Sequence, residues 1–213
     1  MMIENDFPNK IAIFPLSSAI FFPRTILPLN IFEDRYLQLV NDCMKGQRMF
    51  GMIQPKTKEG KYPEVYQIGC LGKIISFNET SDKRFIISLS GLIRFRIKNE
   101  LNKSKLYREF NVDYSEFLND LEEKEDNQIQ YNNKKILDAI KIYYKKINYP
   151  IDFNELGKLS LDQLISTISM ISPFSVGEKQ KLIEAIKIED KIEILNEIIK
   201  FNISTSFETN TVQ

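Results

Sequence analysis

Side chains that carry out catalysis or bind metals are scarce in this sequence. The chain contains no histidine, which rules out serine–histidine and cysteine–histidine nucleophiles, histidine-ligated zinc and imidazole acids or bases. Its two cysteines, Cys43 and Cys70, lack the CxxC spacing of metal and redox sites. We interpret both as buried free thiols in a reducing compartment. The sequence therefore predicts no catalytic residue, no metal ligand and no cofactor.

Two short motifs come near the patterns of nucleotide and peptide-bond chemistry, and neither fits. A phosphate-binding loop has the pattern G-x-x-x-x-G-K-[ST], because backbone amides and the lysine must surround the phosphates. The nearest stretch runs from Gly51 to Lys56, but Pro55 stands before the lysine, where the second glycine is needed, and has no amide donor. Ser104 and Lys105 are adjacent, but a lone pair does not identify a serine–lysine dyad. We therefore predict that the protein is not an enzyme.

Residues 91–98 alternate between apolar and cationic side chains, which predicts a strand with one buried face. The apolar and the cationic sets are, in turn, Ile93, Phe95, Ile97 and Arg94, Arg96, Lys98. A solvated strand face is the favoured interpretation of the cations. The alternative is an RNA-binding surface, although no exposed aromatic platform accompanies the cations in the sequence.

The composition is that of a globular chain without a global charge. The 213 residues are 43% hydrophobic, and 29 basic residues balance 29 acidic ones, which removes any global argument for nucleic acid or anionic lipid. The apolar stretch 11–23 is interrupted by Pro15 and Pro23 and follows Glu4 and Asp6, so it does not fit a signal peptide. We expect a soluble, cytoplasmic protein without a membrane as partner.

The first half of the sequence predicts short strands and one helix. The strands are expected at residues 10–16, 50–54, 72–78, 85–89, 91–98 and 107–117. Residues 17–29 are predicted to form an extended loop with at most a short strand, and residues 55–67 an exposed loop. Between Glu33 and Lys45 the apolar residues repeat at helical spacing. Short strands at close spacing suggest a small barrel-like sheet.

The second half of the sequence is predicted to be helical. Residues 119–133 are rich in acidic and amide residues and offer few apolar anchors, so they are predicted to form a hinge-like linker. Their acidic residues lack the ordered spacing of a calcium loop. Four helices are then expected, near residues 136–147, 161–171, 179–186 and 189–201. Ser160 is predicted to cap the second helix, and Ser175 with Glu178 forms a capping box for the third. Residues 204–213 are predicted to form a disordered tail.

Short motifs follow one another in a specific order along the chain. They are residues 11–16 (IAIFPL), 22–23 (FP), 27–33 (LPLNIFE), 35–36 (RY), 48–51 (RMFG), 69–74 (GCLGKI), 91–95 (GLIRF), 173–175 (PFS), 178–180 (EKQ) and Leu182. In order and spacing this set resembles the N-terminal domain of Lon proteases over residues 9–203, and it is nearest the stand-alone form of that domain. The sequence departs from the family at Asn30, where histidine is frequent, and at Asp34, where proline is frequent.

The resemblance implies a fold and a function. The implied fold is α+β: a PUA-like β pseudo-barrel with one early helix at residues 9–118, a linker at 119–133 and a C-terminal bundle of about four helices at 134–203. In full-length Lon proteases this region helps to select and hold substrate polypeptides, and we expect the ATPase and peptidase domains to be absent here. We therefore predict a non-enzymatic module that binds unfolded or client polypeptides, with a protease or a chaperone as a further partner. The alternative is a PUA-like RNA-binding protein that uses Arg94, Arg96 and Lys98, although nucleic acid is the less favoured partner.

The candidate polypeptide-binding residues are apolar and lie in the two predicted loops, 17–29 and 55–67. They are Phe21, Phe22, Pro23, Ile26, Leu27, Tyr62 and Tyr66. Core packing is the favoured interpretation of the segment 22–33, and a role in a binding groove is the alternative. A cleft where the barrel meets the helices is a further expected location for the site. Limited proteolysis is expected to cut first within 119–133, and a fragment 1–118 to be less stable than the whole chain.

Overall fold

The computed structural model describes residues 6–17, 19–57, 63–101, 104–122 and 130–208. The chain divides into two compact units, Met1–Glu122 and Glu123–Gln213, which we call unit 1 and unit 2. Within the described ranges, all strands belong to unit 1, and unit 2 consists of helices and their connections. The α+β class predicted from the sequence is therefore confirmed.

Unit 1 is built on a six-stranded sheet. Its strands are β1 (Lys10–Pro15), β2 (Ile26–Ile31), β3 (Met49–Ile53), β4 (Ile68–Glu79), β5 (Phe85–Glu100) and β6 (Arg108–Asp113). The hydrogen-bonded order is β2-β5-β4-β3-β1-β6, and β6 also pairs with β5. Strands β1, β3, β4, β5 and β6 therefore close into a ring, the barrel. Strand β2 lies outside this ring and pairs antiparallel with the first half of β5, where Ile31 is opposite Phe85 and Ile26 is opposite Ser90.

Apolar side chains from alternating strand positions fill the core of unit 1. Six of the fully buried ones are Ile13, Phe50, Leu71, Leu89, Ile93 and Phe95. The segment before β2 packs directly on β5 at Gly91, where an added Cβ would lie 2.0 Å from the carbonyl oxygen of Phe22. Only glycine fits there, because the two backbones touch.

Helix α1 (Asp34–Met44) follows β2 and buries Tyr36, Leu39 and Val40. Asp34 lies in its first turn, where a carboxylate is favoured by the helix dipole. The helix predicted between Glu33 and Lys45 is confirmed. Its first turn joins the end of β2, which positions the candidate site described below.

Five helices make up the described part of unit 2: α2 (Gln130–Lys146), α3 (Phe153–Leu156), α4 (Leu161–Ile171), α5 (Val176–Glu184) and α6 (Ile188–Glu208). The capping box of Ser175 and Glu178 is present at α5, and Ser160 forms a second one with Gln163 at α4. The four predicted helices are thus found, and the single-turn α3 was missed. No helix in the described ranges has the length and apolar content needed to cross a bilayer.

Several predicted boundaries are wrong for identifiable reasons. Residues 85–98 were divided into two strands but form one continuous β5. The strand predicted at 107–117 ends at Asp113, and a 3₁₀ helix, Ser115–Leu121, follows it. The short strand that the prediction allowed in residues 17–29 is β2, which begins at Ile26 and continues to Ile31, beyond the predicted loop. Pro28 is tolerated because β2 is the end strand of the sheet order.

The segment between the units also differs from the predicted linker 119–133. Residues 119–122 belong to unit 1, and α2 begins at Gln130. The remainder of the predicted linker, 123–129, lies outside the described residues. At the other end α6 continues to Glu208, five residues beyond the predicted end of the bundle, because residues 204–208 contain neither glycine nor proline.

Candidate functional site

A groove opens in unit 1 where β1 and β3 end and β6 begins. Its volume is about 390 Å³. The described residues that line it are 13–17 from β1 and its continuation, 29–33 from β2 and the turn after it, Arg35 and Tyr36 from α1, Pro55, Thr57 and Pro63 from the β3–β4 connection, and 106–108 at the start of β6. We call this feature the groove.

Aromatic and aliphatic side chains dominate the groove. The rings of Phe14 and Tyr36 stack with centroids 3.9 Å apart, and both are buried. Phe32 and Leu106 are 62% and 50% exposed, so large apolar surfaces remain open to solvent. Exposed apolar side chains that line a concavity are typical of a site for an apolar ligand.

The charged side chains in the described lining are already paired. Arg35 donates to the Glu33 carboxylate at 2.7 Å, and its guanidinium lies 4.5 Å from the centre of the Tyr36 ring. Arg108 donates to Glu100 at 2.9 Å and to the Pro63 carbonyl at 2.7 Å. A charged ligand would have to compete with these internal partners, so the groove favours an uncharged one.

A polar cluster beside the groove holds its Leu106 wall in place. Lys105 Nζ donates to Asp42 Oδ2 at 3.1 Å and lies 2.6 Å from the Tyr107 hydroxyl, which itself donates to Asp42 Oδ2 at 2.9 Å. The Leu106 amide donates to Gln38 Oε1 at 2.9 Å. Both acceptors are on α1, so the connection that carries Leu106 is tied to that helix.

The titration of this cluster does not suit acid–base chemistry near neutral pH. The hydrogen bond from Tyr107 lowers the pKa of Asp42, and the contact with Tyr107 raises the pKa of Lys105. Burial raises the pKa of Tyr107 to about 12 and that of the neighbouring Cys43 thiol to about 12. All four groups are shifted away from neutrality, whereas a general acid or base works best with a pKa near the working pH.

A metal site is not evident in the part of the chain that the structure describes. No group of three or more histidine, cysteine, aspartate or glutamate side chains there is close enough together to hold an ion. The groove itself contributes one carboxylate, that of Glu33, which is already bonded to Arg35. The arrangement is suited to binding through apolar contact and hydrogen bonds.

The candidate residues named from the sequence lie apart from this groove. Phe21, Phe22 and Pro23 are buried in unit 1 and expose little surface to a segment from solution, and their role in binding stays a prediction. Ile26 is 60% exposed at the start of β2, and Leu27 and Tyr66 are half-buried. Tyr62 lies outside the described residues. Among the described six, none lines the groove.

The cationic strand face differs from the prediction at Arg94, whereas the Arg96 and Lys98 side chains are 36% and 57% exposed, as expected for a solvated face. Arg94 is not solvated: its side chain is 1% exposed and donates to Asp120 at 2.7 Å. Arg96 pairs with Glu116 at 2.5 Å and Lys98 with Asp113 at 2.8 Å. The three carboxylates come from the end of β6 and the 3₁₀ helix, so a polyanion would have to compete with them for the cations.

Leu106 is the main groove residue that the sequence analysis missed, whereas Phe32 lies in the segment 22–33, for which a role in a binding groove was the alternative interpretation. Phe32 stands in one of the quoted motifs, but its exposure depends on the turn between β2 and α1. Leu106 lies in a polar stretch and carries no periodic signal. The sequence signal for Leu106 was only that it is a single apolar residue within a polar stretch.

Comparison with known proteins identifies the family. The model of the ATP-dependent protease La (LON) substrate-binding domain matches residues 10–200. The chain belongs to this family. The Lon protease of Desulfosudis oleivorans is 26% identical over 200 residues, which cover 87% of this chain and 23% of that protein. Lon protease 2 of Myxococcus xanthus is 23% identical over 201 residues, which cover 92% of this chain and 24% of that protein. The chain thus spans about a quarter of the length of these relatives.

Solved structures of the same family share the fold. The N-terminal domain of a Mycobacterium avium complex Lon protease has a TM-score of 0.64 at 12% identity and covers 90% of this chain and 98% of that one. The Lon N-terminal domain protein from Xanthomonas campestris has a TM-score of 0.62 at 19% identity and covers 87% of this chain and 96% of that one. The resemblance stated from the sequence motifs, and the fold that it implied, are confirmed.

Proposed function

We propose that unit 1 recognises polypeptides by holding an extended, uncharged segment in the groove. The observation that carries this proposal is the combination of exposed apolar walls with charged side chains that are already paired. An occupant that suits such walls offers apolar side chains and neutral hydrogen-bonding groups. An unfolded polypeptide has both.

Membership of the family also supports polypeptide recognition. Its description is that of a substrate-binding domain, and the relatives of this chain bear the name Lon protease. In this proposal the chain acts as a non-enzymatic recognition module, and the bound segments belong to client proteins. A protease or a chaperone that receives the client is its further partner. Ile26 and Leu27, which lead into the part of β2 that lines the groove, extend the contact surface.

The test is a titration of the full chain with a permanently unfolded protein, reduced and carboxymethylated α-lactalbumin, followed by fluorescence anisotropy. Phe32→Ser removes an exposed wall of the groove, and Phe201→Ser is its matched control, because Phe201 in α6 is 63% exposed against 62% for Phe32. Partial burial of a phenylalanine contributes about 1.4 kcal/mol, or tenfold in Kd. We expect about a tenfold weakening for Phe32→Ser and less than twofold for Phe201→Ser.

Two results would contradict the proposal. One is the absence of binding to the unfolded protein at high micromolar concentration. The other is an equal effect of the two substitutions, which would place the contact outside the groove.

A further inference from the structure

The groove borders the outer edge of β2 along the second half of the strand. Leu29, Asn30 and Ile31 line it consecutively, although neighbouring strand residues point to opposite faces of a sheet, and Phe32 and Glu33 continue the lining in the turn that follows. A cavity lined by residues from both faces of a strand runs along the edge of that strand and not over one face of the sheet. In the described chain β2 has β5 as its strand partner on one side, so its other edge is the one that borders the groove.

Pro28 determines which backbone groups of β2 point towards the groove. It lies opposite Ser88 of β5 and has no N–H to donate. In antiparallel pairs the residues alternate between those bonded to the partner and those directed away from it, and strand prolines occupy positions directed away. Asn30, two residues further along, therefore directs its N–H and C=O away from β5. The edge thus offers a regular set of backbone groups.

Strand β1, which lines the opposing side of the groove, already has strand partners on both sides, β3 and β6. The Leu16 amide donates to the Ile53 carbonyl at 2.9 Å, and the Tyr36 hydroxyl lies 3.5 Å from the Pro15 carbonyl. Tyr36 also stacks on Phe14 and covers this side of the groove. Of the two edges, β2 is the one available for a new strand.

We propose that the client segment adds as a further strand to the outer edge of β2, which selects uncharged, proline-poor stretches of about six residues. The length is that of β2, which has 6 residues. Acidic and basic segments are disfavoured, because the charged side chains that line the groove, Glu33, Arg35 and Arg108, already have ion-pair partners within the protein. Proline is disfavoured because the added strand must donate alternate amides to the edge. This inference rests on the proposed function and adds the class of segment and its mode of binding.

The experiment uses a fluorescein-labelled peptide in which leucine and serine alternate around a central phenylalanine, with a lysine at each end. Two further versions carry N-methyl groups on the amides of the odd or of the even positions. In strand pairing only one of these sets faces β2, so one version should lose at least tenfold in affinity and the other should stay within threefold of the parent. Equal affinities in the two versions, whether both are retained or both are lost, would overturn strand addition.

The matching change in the protein is Asn30→Pro, with Asn30→Ala as its control. Both remove the amide side chain, but only proline removes the backbone N–H. We expect about a fivefold weaker binding of the parent peptide for Asn30→Pro and less than twofold for Asn30→Ala, the loss of about one hydrogen bond. Equal binding by the two folded variants would contradict the inference. If thermal unfolding shows that Asn30→Pro does not fold, the methylated peptides decide the question.

Failure of this inference is distinguishable from failure of the proposed function. If the parent peptide binds and the two methylated versions behave alike, polypeptide binding stands and strand addition is wrong. If neither the peptide nor unfolded α-lactalbumin binds, both are wrong.

Discussion

The ion pair between Arg94 and Asp120 is a sensitive point in unit 1. The Asp120 carboxylate accepts hydrogen bonds from the Arg94 amide at 3.0 Å, from Nε at 2.9 Å and from Nη2 at 2.7 Å. Their side chains are only 1% and 8% exposed, and the guanidinium lies 4.6 Å from the centre of the Phe117 ring. Asp120→Ala leaves the buried guanidinium without this carboxylate. Breaking a buried pair in this way costs about 3–5 kcal/mol, a large part of the stability of a domain.

The neighbouring pair provides a control of the same chemistry. Arg96 and Glu116 also join β5 to the 3₁₀ helix, but their side chains are 36% and 40% exposed. Exposed pairs contribute about 0–1 kcal/mol, so Glu116→Ala should lower the free energy of unfolding by no more than about 1 kcal/mol. The loss of unfolding free energy in Asp120→Ala should therefore be about three times that in Glu116→Ala, or more.

The assay must report on unit 1 separately, because two compact units need not unfold together. Hydrogen exchange of peptides from β5, measured by mass spectrometry at increasing urea concentration, gives the opening free energy of that strand. The double variant Arg94→Leu with Asp120→Leu should recover most of the loss, since apolar side chains replace the buried pair. Equal losses for Asp120→Ala and Glu116→Ala would refute the assignment of the difference to burial. So would a loss below about 1 kcal/mol for Asp120→Ala.

Three further predictions follow from local contacts. Ser175→Ala removes the capping box of α5 and should destabilise unit 2 by about 1 kcal/mol in urea unfolding followed by circular dichroism, with an effect near zero contradicting the cap. The pKa of Asp42 is lowered by Tyr107 and Lys105, so its stabilising contribution is present at neutral pH and is lost as the pH falls through the lowered value. Asp42→Asn should therefore destabilise the protein at pH 7 and progressively less as the pH falls below the ordinary pKa of an aspartate and through the lowered one, whereas a pH-independent loss would contradict this linkage. Burial raises the pKa of Cys43 to about 12, so iodoacetamide at pH 8 should alkylate it far more slowly in the native protein than in urea, and equal rates would show that the thiol is accessible.

Local patterns in the sequence predicted the elements whose residues interact over short distances. The helix α1, the capping box of α5 and the alternation along β5 depend on spacings of two to four residues, and the structure contains them. The family resemblance added the order of these elements, since motifs at 11–16, 27–33 and 91–95 keep the spacing of a known fold. Even so, the alternation of residues 91–98 said nothing about what covers its cationic side.

The candidate site depended on contacts that no local pattern contains. Phe21 and Phe22 looked like binding residues because they are apolar and lie in a proline-rich segment, but both side chains are buried. The Phe22 backbone lies against Gly91, about seventy residues away, and the Phe21 ring lies against Gly72, about fifty residues away. The sequence predicted a solvated Arg94, because Asp120, which pairs with it in the folded chain, is 26 residues away in the sequence.

The sequence by itself determined the absence of imidazole chemistry, the elements and the family, because these depend on residue types and short spacings. Only the tertiary structure decided which apolar residues stay exposed and which strand edge stays open. The groove brings together Phe14, Phe32, Pro55 and Leu106 from four separate stretches of chain. Exposure is a property of the closed sheet and not of a residue, since the same apolar side chain is buried or exposed according to the partner that folding brings to it.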